Sequence, residues 1–180
     1  MTFAVGDKVV YPHHGAAVIE GKEKRLFDGQ KTDYFVLRIT YGDLKVSIPV
    51  DKADEIGLRE VINDEEVEEV FAVLRKKEAR MPTNWSRRFK NHQEKLKSGD
   101  VYQVAEVVRN LAARNRDAAL SAAERTMYER ARINLVSEIS PALGVSSEAA
   151  EQFLDDALAR GVLRAPAPAA AAGAPAKKKA

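Results

Sequence analysis

The sequence predicts a segregated α+β fold: a small N-terminal β-barrel, an all-helical C-terminal domain of about five helices, and a disordered tail. Three observations carry that expectation. Up to about residue 50, short β-branched and aromatic runs alternate with tight-turn signals. From about residue 63 the apolar residues recur at helical spacing. Residues 165–180 are nearly all Ala, Pro and Gly and end in Lys177-Lys178-Lys179, a composition that cannot bury a core.

The strands come first. Residues 3–11 form a short β-branched run, followed by the turn Pro12-His13-His14-Gly15. Residues 16–27 form a second run, closed by Asp28-Gly29, a dipeptide suited to tight hairpins. Residues 32–41 contain Tyr34, Phe35, Val36, Leu37 and Ile39. Gly42-Asp43 then turns into residues 44–50, where Leu44, Val46 and Ile48 alternate with Lys45 and Ser47. Strands this short and closely spaced suggest an SH3-like or Tudor-like barrel over residues 1–55. Pro49 confines the last strand to an edge or an end.

The helices follow over residues 63–161. Asn63 with Glu66 makes a capping box, ahead of Val67, Val70, Phe71 and Leu74. Pro82 restarts the chain, and a second helix is expected over residues 83–97, ended by Ser98-Gly99. Asp100 with Gln103 caps a third helix that carries Val101, Val104, Val107, Val108 and Leu111. Ser121 with Glu124 caps a fourth, with Met127, Tyr128, Ala131, Leu135 and Ile139. A fifth starts near Ser146 or Ser147, packs Phe153, Leu154 and Leu158, and stops at Gly161.

Composition narrows the function classes. A hydrophobic fraction of 45% with 31% charged residues is ordinary for a globular chain and excludes disorder throughout. The absence of cysteine excludes disulfides, thiolate metal sites and a cysteine nucleophile. No uninterrupted apolar run approaches the roughly 18 residues of a membrane span, and the first ten residues lack the apolar core of a signal peptide. A cytoplasmic protein is expected. No phosphate-binding glycine loop, nucleophile elbow or zinc-protease motif is present, so neither an enzyme nor a cofactor is expected. His13-His14 reads as a turn at the barrel rim, because adjacent side chains diverge. The acids Asp64, Glu65, Glu66, Glu68 and Glu69 read as complements to a helix N-terminus. No metal is expected at either place.

The formal net charge of +2 conceals a block structure. Residues 75–97 hold nine cations (Arg75, Lys76, Lys77, Arg80, Arg87, Arg88, Lys90, Lys95, Lys97) against Glu78 and Glu94. Acids at the i±4 positions that would neutralise this run are scarce, which points to a polyanion partner, nucleic acid first. The sole tryptophan, Trp85, stands inside the run. Two readings of it are open. Trp85, Phe89, His92 and Leu96 share helical spacing and could form one buried stripe. Alternatively, an aromatic in the first turn, flanked by Arg87, Arg88 and Lys90, could insert into DNA while its neighbours hold phosphates. A mixed arrangement has Phe89 and Leu96 inward and Trp85 facing out at the helix end.

Val5-Gly6-Asp7 through Val9-Val10-Tyr11-Pro12-His13-His14-Gly15-Ala16 resembles the CarD/CdnL family of bacterial transcription factors. So do Pro82-Thr83-Asn84-Trp85-Ser86-Arg87-Arg88 and Ser98-Gly99-Asp100 with Val104-Ala105-Glu106-Val107-Val108-Arg109. The N-terminal portion is also similar to the polymerase-interacting module of transcription-repair coupling factor. The resemblance implies a Tudor-like domain that docks on the β subunit of RNA polymerase. Separately, a monomer is expected; the resemblance also implies a helical domain set against promoter DNA at the upstream edge of the bubble. There, Trp85 would wedge into the minor groove and stabilise the open complex. By the same match Arg25 contacts the polymerase, Lys90 and Arg125 face DNA, and Arg87 and Arg88 lie beside the wedge. Relatives often carry Arg where this chain has Ser47; Lys45, two residues earlier on the same strand face, is placed to substitute. The alternative expectation is a stand-alone nucleoid or architectural DNA-binding protein.

Overall fold

A computed structural model describes residues 2–12 and 14–160. The N-terminal part is a five-stranded antiparallel sheet: β1 (Lys8–Tyr11), β2 (Gly15–Phe27), β3 (Gln30–Ile39), β4 (Lys45–Pro49) and β5 (Arg59–Glu60). The strands lie in the order β4-β3-β2-β1-β5. The segregated α+β class is as expected, but the barrel is not closed. β4 and the two-residue β5 remain at opposite edges, and a 3-10 turn (Val50–Lys52) and the short helix α1 (Ala53–Ile56) join them. Asp28 and Gly29 both take positive φ (49° and 78°), as a two-residue hairpin turn of the I′ kind demands.

Five helices follow: α2 (Asp64–Arg75), α3 (Trp85–Lys97), α4 (Val101–Asp117), α5 (Ala122–Leu143) and α6 (Ser147–Arg160). The Asn63–Glu66 and Ser121–Glu124 capping boxes both form, each with its two reciprocal hydrogen bonds. Asp100 does cap α4, accepting from the Tyr102 N–H at 2.9 Å, but Gln103 bonds its carboxylate instead of completing a box. The expected Phe153 core contact is corrected: Phe153 is 37% exposed, because Ala150, Leu154 and Ala157 take the inward stripe of α6. No helix among the described residues is long and apolar enough to cross a membrane. The expectations for His13, Gly161 and the 165–180 tail lie outside the described residues.

Two apolar clusters form. One gathers Val9, Ile19, Phe35, Leu37 and Ile48 of the sheet with Ala53 and Leu58. The other gathers Val67, Val70, Leu74, Val107, Leu111, Leu135 and Leu154 of the helices. A polar seam joins them. Glu138 on α5, almost fully buried, takes Arg59 in a two-pronged pair at 2.5 and 3.0 Å and also accepts the Ile62 N–H at 3.3 Å. Next to it, the Ser137 hydroxyl accepts the Ala16 N–H at 3.0 Å. Gly15 makes this approach possible. Its φ is +83°, and a Cβ there would stand 2.7 Å from Ser137 Oγ.

Candidate nucleic-acid interface

The basic window resolves into cations of two kinds. Arg75, Arg88 and Lys95 find acids on other turns or other helices: Glu68 at 3.9 Å, Glu124 at 2.8 Å and Glu106 at 2.5 Å. Lys76, Lys77, Arg80, Arg87, Lys90 and Lys97 make no ion pair among the described residues. The positive footprint is therefore smaller than the sequence count implies, and it lies on the solvent side.

Arg88 is where the structure corrects the sequence reading. Its side chain is 2% exposed, and its partner Glu124 is buried to the same degree. Arg88 also donates to the carbonyls of Pro82 and Thr83 at 3.1 and 3.2 Å. A guanidinium sealed this way cannot face a duplex; it ties the segment just ahead of Trp85 to α5. Burial raises the Glu124 carboxyl, yet the Arg88 bond, the Ser121 backbone and nearby Arg114 together hold it below the ordinary carboxylate value. His92, one turn on, is also buried. Desolvation, with Lys95 and Arg88 outweighing Glu124, pushes it down to about 4, so the ring is neutral at pH 7.

Trp85 adopts the mixed arrangement. Phe89 and Leu96 pack against the helical core, while Trp85 stays outside that cluster and 42% exposed. The indole stacks on Phe89 with centroids 5.1 Å apart and planes 16° from parallel. Its Nε1–H donates to Ser121 Oγ at 3.1 Å. Trp85–Ser121 and Arg88–Glu124 each advance three residues on both helices. α3 and α5 therefore run in the same direction with their N-termini side by side, capped by Asn84 and Ser121. Arg87 and Lys90 project from the solvent side of α3, and Arg125 lies exposed one turn beyond Ser121. A partly exposed indole, three exposed cations and two helix N-termini thus share one end of the molecule. Such a surface can stack on a base and hold phosphates around it.

The other sequence-predicted residues gather on the sheet. Arg25 pairs in register with Thr32, Ser47 with Val36 and Lys45 with Arg38. Thr32, Val36 and Arg38 alternate on one face of β3, so Arg25, Ser47 and Lys45 share the face turned away from the core. Arg25 is held by Glu23 at 2.9 Å and lies over the Tyr34 ring at 5.7 Å; Lys45 reaches Glu20 at 3.1 Å. Sequence reasoning missed two features. Leu26 and Phe27, each 71% exposed, stand beside Arg25 at the hairpin tip; the signal was their place just before Asp28-Gly29, beyond the reach of the core. The Ser121 contact to Trp85 spans 36 residues and has no local signal.

Residues 3–62 match the family described as the CarD-like/TRCF RID domain, and residues 69–155 match the CarD C-terminal domain. The Bacillus subtilis (strain 168) protein YdeB, described as a candidate transcription factor, is 31% identical over 151 residues, covering 84% of this chain and 99% of that protein. Among solved structures, CdnLNt from Myxococcus xanthus is 38% identical, with a TM-score of 0.31, covering 36% of this chain and 90% of that one.

Proposed function

The chain belongs to the CarD/CdnL family of transcription factors and carries its RNA polymerase-interacting domain, and from that premise we propose that it stabilises the open promoter complex. The sheet docks on the polymerase β subunit through Arg25, Lys45 and Ser47. Strand β4, an unpaired edge, is available to add to a strand of the partner. The helical end then meets promoter DNA at the upstream edge of the bubble, where Trp85 enters the minor groove and Arg87, Lys90 and Arg125 hold phosphates.

The observation that carries this reading is the exposed indole backed by Phe89, set among cations that make no ion pair among the described residues. Promoter opening is a population shift, so a factor favours opening only through contacts that differ between closed and open states. Phosphate contacts bind both states about equally. A ring that fits only where a base step is already parted supplies the difference. Unstacking a step costs a few kcal/mol, and stacking a base on an aromatic returns about 1–3 kcal/mol. At about 1.4 kcal/mol per factor of ten, the shift amounts to several-fold up to about a hundredfold. Docking on the polymerase raises the local concentration of this weak, sequence-tolerant contact.

The test is the lifetime of open complexes formed by purified polymerase. Trp85→Ala should leave polymerase binding intact and shorten the lifetime toward that of polymerase alone. Equal lifetimes with wild type and Trp85→Ala would remove the wedge. Binding to polymerase without DNA separates this reading from a stand-alone architectural protein, which would not bind.

A further inference from the structure

We propose that Ser121 is a positioning residue for Trp85: with Phe89 behind the ring, its hydroxyl holds the indole as a platform with a single stacking face. The inference rests on the wedge reading and adds to it how the ring is presented. Phe89 lies nearly parallel to the indole and covers one of its faces. The Nε1 edge is tied to Ser121 Oγ. The residue as a whole keeps 42% of its surface exposed. A ring backed by Phe89 on one side favours stacking through the other over full intercalation between two base pairs. It can lie flat against one unpaired base, or against the last intact pair of a duplex, and block re-pairing there.

Two details argue that the contact has a purpose beyond folding. The capping box at α5 is complete without the indole, since Ser121 Oγ already accepts the Glu124 N–H at 3.2 Å and the Glu124 carboxylate accepts the Ser121 N–H. The bond from Trp85 takes the second acceptor position of the same hydroxyl. Trp85 also adds nothing to the helical core cluster, whereas its neighbour Phe89 does. The bond therefore restrains a ring that the core does not need. A ring fixed before binding loses less rotamer freedom when a base arrives, so more of the stacking energy appears as a longer open state.

The single tryptophan makes the test direct. Ser121→Gly removes the hydroxyl but keeps an acceptable N-cap, and Ser121→Thr restores the hydroxyl. Acrylamide quenching of Trp85 fluorescence and open-complex lifetime are measured on the full chain. Ser121→Gly should raise quenching and shorten the lifetime by about twofold to tenfold, the span expected for losing one hydrogen bond. Ser121→Thr should return both to wild type. Phe89→Leu, which keeps apolar bulk and removes the backing ring, should raise quenching independently of the cap. If Ser121→Gly changes neither quantity while Trp85→Ala collapses the lifetime, the positioning role is overturned and the wedge stands. If Trp85→Ala leaves the lifetime unchanged, the wedge reading falls and takes this inference with it.

Discussion

Two Arg–Glu pairs of nearly equal length sit in opposite surroundings. At the α3–α5 seam, Arg88 and Glu124 meet at 2.8 Å with 2% and 1% of their side chains exposed. On the outer ribbon, Arg25 and Glu23 meet at 2.9 Å with 53% and 52% exposed. The lesson is that the geometry of an ion pair says little about its role. In the seam, water has been stripped from both charges, so each depends on the other and neither is free to bind a partner. On the ribbon, water still screens both, so the pair contributes little to folding and can be exchanged for an outside contact. Burial separates a strut from a hand held out.

The largest effect should come from breaking the seam. Glu124→Leu leaves Arg88 buried without its acid and should cost about 3–5 kcal/mol in urea unfolding, while adding Arg88→Met should recover most of that loss. A single-variant cost under about 1 kcal/mol would put the seam on the same footing as the ribbon. Acid should reach the same region next. The His92 imidazole is lowered from 6.5 to about 4, so the unfolded chain takes up this proton first. The stability tied to its neutrality is complete above pH 6.5 and is lost as pH falls from there toward 4, at most about 3 kcal/mol in total. Replacing His92 with Leu should flatten the pH–stability curve across that window; an unchanged slope would show that the ring is not the group responsible.

Gly15→Ala tests the joint between sheet and helices. The positive φ and the 2.7 Å approach to Ser137 predict a loss of about 1–3 kcal/mol in thermal unfolding. The smallest effect on folding belongs to the ribbon. Arg25→Ala should change stability by less than about 1 kcal/mol, although Arg25→Glu should weaken binding to the polymerase. If Arg25→Glu leaves that affinity intact, the exposed pair is not the docking contact and the contrast with the seam loses its functional half.

How far the sequence reached follows from which forces were local. Both capping boxes, the Asp28-Gly29 turn and the registers of the helices before α6 were legible because each involves residues a few positions apart. Arg88 looked like one more surface cation because its acid lies 36 residues away, and no pattern in the run announces that partner. The open sheet was illegible for a related reason. Closure depends on whether β4 meets β5, and the segment between them spends its residues on a turn and a short helix instead. Phe153 failed by one position, about 100° around α6, a rotation that short apolar stripes do not fix. For Trp85, spacing left inside and outside equally open, and the outcome turned on a distant serine.

The two-pronged Arg59–Glu138 contact, with Ser137 and Gly15 beside it, has a consequence for how location is encoded. These contacts tie the sheet to the helices, so in the proposed complex a grip on the outer strands would also bear on where the far end lands and at what tilt. A molecule built this way needs no base-reading side chains to arrive at a particular spot along a duplex. On the proposed reading its address would be kept in its own dimensions, like the span of a caliper.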